Sequence, residues 1–505
     1  MKKQIAVIEL ASNELRLKIG EKSDMKVKTV DSLSYPVTLG RESFHNGKIS
    51  FETIEKICQV IKGFLNTASE YGVSEIRAIA TTAIREAKNK DYILDQIKVK
   101  TGVDIEVLDE NSEKTAVNRH IMSVLPAEKR NSALFVQLGS GNINIYVMEN
   151  SKMVDTYSLK IGGLRINELF EESLDSPKDY VQVIREYLTP FFETLSIPEK
   201  LSQCIVSGNE IQTIASMCNA TNSLDFSIME RTAFTKMYKN AKEKGTEAIS
   251  MEYDIPQEEV EVLLPSLIVL NRLLKYTVND SILLSNVLLS DAVIFEMLFP
   301  KEASFVVKDY EEFTLQSATS IAERFGRDLN HISRVSSVAL EIYDKMKKLH
   351  GYKLRERTLL QVSAILQDIG KYVNVKNHAL LSYNTITNLD IVGINDHERL
   401  IIATVCYYHN GNIPSMDSPI YNQLSQEDRV MVSKLAAILQ ISNAINTSHS
   451  PKFEQVNVNM KNGKLNIYLT TLKNINLEKW AFIAKSKLFR EVYGLNATII
   501  KRGVL

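Results

Sequence analysis

The 505-residue chain is 44% hydrophobic and 24% charged, the make-up of a soluble protein with several buried cores; its length suggests about three or four domains. A net charge of -1 excludes a bulk field that would draw it to nucleic acid or to an anionic membrane, so any anion site must be local. Cys58, Cys204, Cys218 and Cys406 lack CxxC spacing and sit in apolar segments, which reads as buried free thiols in a reduced, cytoplasmic compartment.

The opening MKKQIAVIEL is basic and then apolar, but Glu9 and Asn13 interrupt it, so it reads as a first strand and not as a signal peptide. Ile5–Leu10 and Leu15–Ile19 form a predicted hairpin around Ala11-Ser12-Asn13, with a third strand at Val27–Leu33. Apolar residues at helical spacing predict a helix over Ser50–Tyr71. Glu75–Ala80 is a short buried strand, Ala83–Lys98 a second helix and Gly102–Leu108 a further strand.

The plan then repeats. Leu134–Val147, LFVQLGSGNINIYV, has the grammar of Ile5–Gly20: an apolar run, a turn of small residues, then an alternating run. Lys152–Lys160, Ser202–Ser207 and Ile282–Ser290 read as strands. Two similar beginnings argue for duplication of a mixed α/β unit. From Asp309 long helical periodicities replace the strands: Ser317–Phe325, Ile332–Leu349, Arg355–Asp368, His397–His409 and Ser425–Asn443. Strands at Val456–Met460 and Leu465–Tyr468, a helix over Leu477–Tyr493 and a strand at Asn496–Lys501 close the chain. The expected domains are therefore residues 1–126, 127–308, 309–446 and 447–505. No apolar window has the length of a membrane span.

Several strand ends carry chemistry. The loops at Ser12-Asn13 and Gly139-Ser140-Gly141 are small enough for backbone N–H groups to meet a phosphate. Thr81-Thr82 opens a helix and Arg85 follows, which reads either as an anion site or as simple capping with a solvated arginine. Asp109, Glu110 and Glu113 cluster after a strand; Glu113 is a candidate general base or, alternatively, an acid complementing a helix dipole. Gly162-Gly163-Leu164-Arg165 and Ser207-Gly208-Asn209 add two more turns.

The order of these segments (strand, SN turn, strand, ATTAIREA, acidic cluster, glycine-rich turn, GGLR, strand-end SG) resembles the exopolyphosphatase/guanosine-pentaphosphate phosphatase (Ppx/GppA) family over the full length. The resemblance implies an α/β fold: a two-lobed, actin-like first half, an all-α domain similar to the HD phosphohydrolases and a small α/β end domain. It implies release of the terminal phosphate of polyphosphate, or of guanosine pentaphosphate, with Mg2+ or Mn2+. A homodimer is implied too, and neither nucleic acid nor membrane is an expected partner. Carried over residue by residue, Glu113 is catalytic, Glu9 helps hold metal, and Ser12, Asn13, Arg85, Gly139, Ser140, Gly141, Arg165, Ser207 and Gly208 bind phosphate.

The departures bear on that chemistry. The family's D-x-G-S-N is Glu9-Leu10-Ala11-Ser12-Asn13, and both carboxylates of its D-I-G-G-G-S-T-E are amides, Gln137 and Asn144. Amide oxygens replace carboxylates poorly around a hard cation. Glu113 matches an acid of G-x-E-E-A, with Ser112 or Lys114 as its altered neighbour. The glycines and arginine of S-D-x-G-L-R-E-G are missing from Ser290–Met297, and Thr38 replaces an arginine before Leu39-Gly40. In the helical domain the H-D pair is Gln367-Asp368, with His331, His378 and His409 nearby in sequence; His331, Asp368 and His409 form a degenerate metal set. Two functions stay open: a divergent phosphatase, or a catalytically impaired protein that binds polyphosphate or guanosine tetra- or pentaphosphate. A sugar- or acetate-kinase-like ATPase is less suited, because Ser207-Gly208-Asn209 offers little for adenosine.

Overall fold

A computed structural model describes residues 3–23, 26–139, 141–170, 177–208, 210–222, 226–461 and 463–503. It divides into two compact units, Met1–Tyr310 and Glu311–Leu505. Among the described residues, no helix is long and apolar enough to cross a membrane.

The first unit is built on two mixed sheets of one plan. In the first sheet β1 (Gln4–Leu10) pairs antiparallel with β2 (Glu14–Ser23), which pairs with β3 (Lys26–Pro36). On its other side β1 runs parallel to β4 (Glu75–Ala80), and β4 to β5 (Ile105–Val107), giving the order β3-β2-β1-β4-β5. The second sheet repeats this with β6 (Ser132–Leu138), β7 (Ile143–Glu149) and β8 (Lys152–Leu159). Here β9 (Gln203–Gly208) lies parallel to β6, and β10 (Thr221–Asn222), β11 (Phe226–Glu230) and β12 (Ser281–Ser285) extend it as β10-β11-β12-β9-β6-β7-β8. Parallel neighbours require crossovers, so helices cover both faces and even the alternating strand β2 is mostly buried. Its polar positions are matched rather than solvated: Arg16 lies by Glu9, and Lys18 Nζ is 2.5 Å from Asp291 Oδ1.

The helix Phe51–Glu70 starts at Ser50, whose Oγ accepts from Thr53 N at 3.3 Å, and buries Ile54, Ile57, Cys58, Ile61 and Phe64 against the first sheet. The expected helix Ala83–Lys98 is instead two, Thr82–Glu86 and Lys90–Thr101. The break is held by the Asn89 side chain, which pairs with the Ile49 backbone: Ile49 N donates to Asn89 Oδ1 (3.1 Å) and Asn89 Nδ2 donates to Ile49 O (2.9 Å). The expected strand Ile282–Ser290 stops at Ser285, and Ser290 belongs to the helix Leu289–Leu298.

The second unit is mostly helical. Its core joins Leu329–Lys345, Leu354–Leu366, Asp396–Tyr408 and Gln426–Ile445. A small sheet, β13 (Gln455–Lys461), β14 (Lys464–Thr470) and β15 (Asn496–Arg502), packs with the helix Asn476–Tyr493. All four cysteines are free and buried, and burial pushes the Cys204 and Cys218 thiols up to about 12.

Candidate active site

The two hairpins face one cleft in the first unit. Glu9, Ala11 and Ser12 line it from the first hairpin, and Gln137, Gly139, Gly141, Asn142 and Asn144 from the second. Thr81, Thr82, Glu113, Lys114, Ser207 and Gly208 complete the polar wall. The glycine at 208 is required: its φ is +141°, and a Cβ there would come 2.2 Å from Leu138 O.

Cross-strand register makes the two hairpins chemically unequal. Glu9 faces Arg16 across the first, and the equivalent Gln137 faces Asn144 across the second. In the first hairpin Arg16 Nη1 stands 3.5 Å from Glu9 Oε2. Burial pushes the Glu9 carboxyl up, an effect that Arg16 opposes. In the second, Asn144 Nδ2 donates to Gln137 Oε1 at 3.4 Å. Ser158 Oγ donates to Asn144 Oδ1 (3.0 Å) and receives from Lys114 Nζ (2.8 Å). The amides are thus tied into a chain that ends on a buried ammonium lining the cleft.

Glu113 sits on the first turns of the helix Glu110–Val124, where Asp109 Oδ1 accepts from Ser112 N at 3.1 Å. Asp109 is therefore a capping acid, and Glu113 lines the cleft. Arg85 turns to Glu113: its Nη1 is 3.3 Å from Glu113 Oε2 and donates to Leu108 O at 2.7 Å, while Nη2 donates to Thr82 Oγ1 at 2.9 Å. With that acceptor role filled, the Thr82 hydroxyl retains its own proton for a ligand. Ser207 Oγ is fully buried and has no hydrogen-bond partner, a donor held at the cleft wall.

The remaining expected phosphate ligands lie elsewhere. Arg165 donates to Gly141 O (Nε, 3.1 Å), pairs with both Glu86 oxygens (3.0 and 2.8 Å) and stacks 4.9 Å over Phe44. It supports the second loop rather than lining the cleft. Asn13 is half-buried and uses its carbonyl to accept from Val37 N at 2.9 Å. Ser140 and Asn209 lie outside the described residues. Arg16 and Lys114 were absent from the sequence-based ligand set; opposition of Arg16 to Glu9 in the hairpin pairing was the signal available for the first.

The cleft does not fit Mg2+. That ion demands nearly octahedral oxygen at about 2.0–2.1 Å, normally with carboxylates. Each cleft carboxylate faces an arginine, the second hairpin supplies amides bonded to one another, and Lys114 adds a competing positive charge.

In the second unit, Asp368, His378 and His409 meet, all buried. His409 Nε2 is 3.4 Å and His378 Nε2 3.7 Å from Asp368 Oδ1, and the two Nε2 atoms are 3.3 Å apart. Lys371 Nζ sits 2.7 Å from Asp368 Oδ2. His331 stands further back: its Nε2 is 3.8 Å from Asp368 Oδ2, and its Nδ1 accepts from Asn446 Nδ2 at 2.8 Å. Burial, with His409 next to it, holds the His378 imidazole below its ordinary value.

A sequence model described as the Ppx/GppA phosphatase family matches residues 18–301, and one described as Ppx/GppA phosphatase, domain III, matches residues 315–488. A guanosine-5'-triphosphate,3'-diphosphate pyrophosphatase of Photobacterium profundum is 20% identical over 449 residues, spanning 86% of each protein. Two solved structures share the fold over about 60% of this chain. The Ppx/GppA family member of Aquifex aeolicus matches with a TM-score of 0.51 and 21% identity, over 60% of this chain and 99% of its own. An exopolyphosphatase from Cytophaga hutchinsonii matches with a TM-score of 0.52 and 20% identity, over 60% and 99%.

Proposed function

For this chain, which belongs to the Ppx/GppA phosphatase family, we propose hydrolysis of a terminal phosphoanhydride, that of inorganic polyphosphate or of guanosine pentaphosphate, in the cleft between the two hairpins. The observation that carries this reading is Glu113, which lines the cleft beside both loops with its carboxylate fixed by Arg85. A carboxylate so held can accept a proton from the attacking water. The terminal phosphate would lie among the hydroxyls of Ser12, Thr82 and Ser207. Lys114, buried on the helical turn of Glu113, supplies fixed positive charge for the phosphoryl oxygens.

Phosphate release by the pure full-length protein tests it, with polyphosphate and guanosine pentaphosphate as substrates. Release that disappears in Glu113→Gln supports the reading. No release above background with either substrate sinks it. A second reading, binding without hydrolysis, is favoured by the Gln137–Asn144 amide pair, which leaves the second hairpin uncharged. Calorimetry would then detect polyphosphate or guanosine tetraphosphate bound in the absence of turnover.

A further inference from the structure

Asp368, His378 and His409 carry a second chemistry, in the helical unit. Two backbone carbonyls set it. A carbonyl can only accept, so His378 Nδ1 must donate to Val375 O (2.7 Å) and His409 Nδ1 to Cys406 O. Each neutral ring therefore presents an Nε2 lone pair, and these point at one another and at Asp368 Oδ1, which accepts no hydrogen bond. Lys371 offsets the Asp368 charge at its other oxygen, but at Oδ1 and the two Nε2 atoms three electron-pair donors still face one another, an arrangement that a cation seated among them relieves.

The spacing identifies the cation. A proton shared with a carboxylate draws the heavy atoms to about 2.7–2.9 Å. Ligands placed about 2.0–2.1 Å from a tetrahedral metal ion stand about 3.3 Å apart. The edges of this triangle are 3.3, 3.4 and 3.7 Å. The outer contacts are also in place. Both rings are oriented through Nδ1–H to a carbonyl, and Lys371 fixes the second oxygen of Asp368. His331 faces the group with a proton rather than a lone pair, because Asn446 donates to its Nδ1; its Nε2 is buried without a hydrogen-bond partner.

We propose that Asp368, His378 and His409 bind one divalent transition-metal ion, with zinc, cobalt or ferrous iron preferred over Mg2+ or Ca2+. Two imidazoles and one carboxylate form a borderline donor set, and hard ions favour all-oxygen sites. Three protein ligands leave a position for water or an exogenous anion.

The test uses the full-length, tag-free protein stripped with a chelator. Titration with Zn2+ by calorimetry, and with Co2+ by its visible absorption, should show one ion per chain. His378→Ala should weaken binding by about 10–100-fold or more, a loss at least as large as that from altering an outer contact. His45→Ala, at an exposed position of the other unit, should bind like the parent. Because His409 is 1% exposed and its replacement endangers folding, the near-isosteric Asp368→Asn, checked by circular dichroism, serves as the second variant. Failure of the stripped parent to bind, equal affinity in His378→Ala, or displacement by equimolar Mg2+ would overturn the assignment.

Discussion

Arg85 is a clamp on Glu113: its guanidinium reaches the carboxylate at 3.3 Å and is itself anchored on the Leu108 carbonyl at 2.7 Å. It touches the expected base and not the cleft, which makes it a positioning residue. Arg85→Ala should lower kcat by about 10–100-fold with KM little changed, since a group that acts through Glu113 affects the transition state more than ground-state binding. Arg85→Lys should recover part of the rate, because it keeps charge but not the fork. An equal loss in KM would show that Arg85 binds phosphate directly.

The amide pair of the second hairpin yields a metal prediction. Gln137→Asp with Asn144→Glu places two carboxylates across from each other in register. Anionic oxygens there should create Mg2+ binding that the parent cleft lacks. Calorimetry with Mg2+, and phosphate release with and without chelator, read this out. Identical metal response in parent and double variant would refute the charge argument.

Glu210 gives the first unit a pH-dependent stability. Burial pushes its carboxyl up to about 7 from 4.5, an effect to which Glu259 adds. Below 4.5 both folded and unfolded chains hold the proton; between 4.5 and 7 the folded chain keeps it and the unfolded chain loses it. Stability therefore falls as pH rises through that window, by about 3 kcal/mol in total, and is flat in this respect above it. Urea unfolding from acid to neutral pH should show the slope, and Glu210→Gln should flatten it. A slope unchanged in the variant would assign it to other groups.

Gly208→Ala tests the β9 turn. The positive φ and a Cβ driven against Leu138 O predict a loss of about 1–3 kcal/mol or more, since backbone strain and overlap add. Ligand affinity should fall with it, because Ser207 lines the cleft from the same turn. A denaturation midpoint equal to that of the parent would contradict the strain argument.

How far the sequence could be read depended on how local each cause was. The hairpins at Ile5–Gly20 and Leu134–Val147 were legible because strand alternation and small-residue turns are set within a few residues. The break after Glu86 was not, because it is held through Ile49, which meets Asn89 from forty positions earlier. The role of Arg85 was hidden in the same way: a helix-start arginine reads as a phosphate ligand until Leu108 and Glu113 are known to lie beside it. In the helical unit the histidines were visible, but which ring offers a lone pair depends on Val375, Cys406 and Asn446, and sequence spacing carries no tautomer.

Gly141 has a mechanical meaning beyond its small size. A Cβ on it would come 3.0 Å from Thr82 Cγ2, so the turn of one lobe rests against the helix start of the other with only hydrogen between them. Arg165 holds the carbonyl of that same residue and reaches Glu86 beyond the helix start. Position 141 thus acts as a spacer that fixes how near the two lobes can come. A larger side chain there would wedge them apart and move Ser207 on one wall away from Glu113 on the other, slowing the proposed hydrolysis without altering any group that takes part in it.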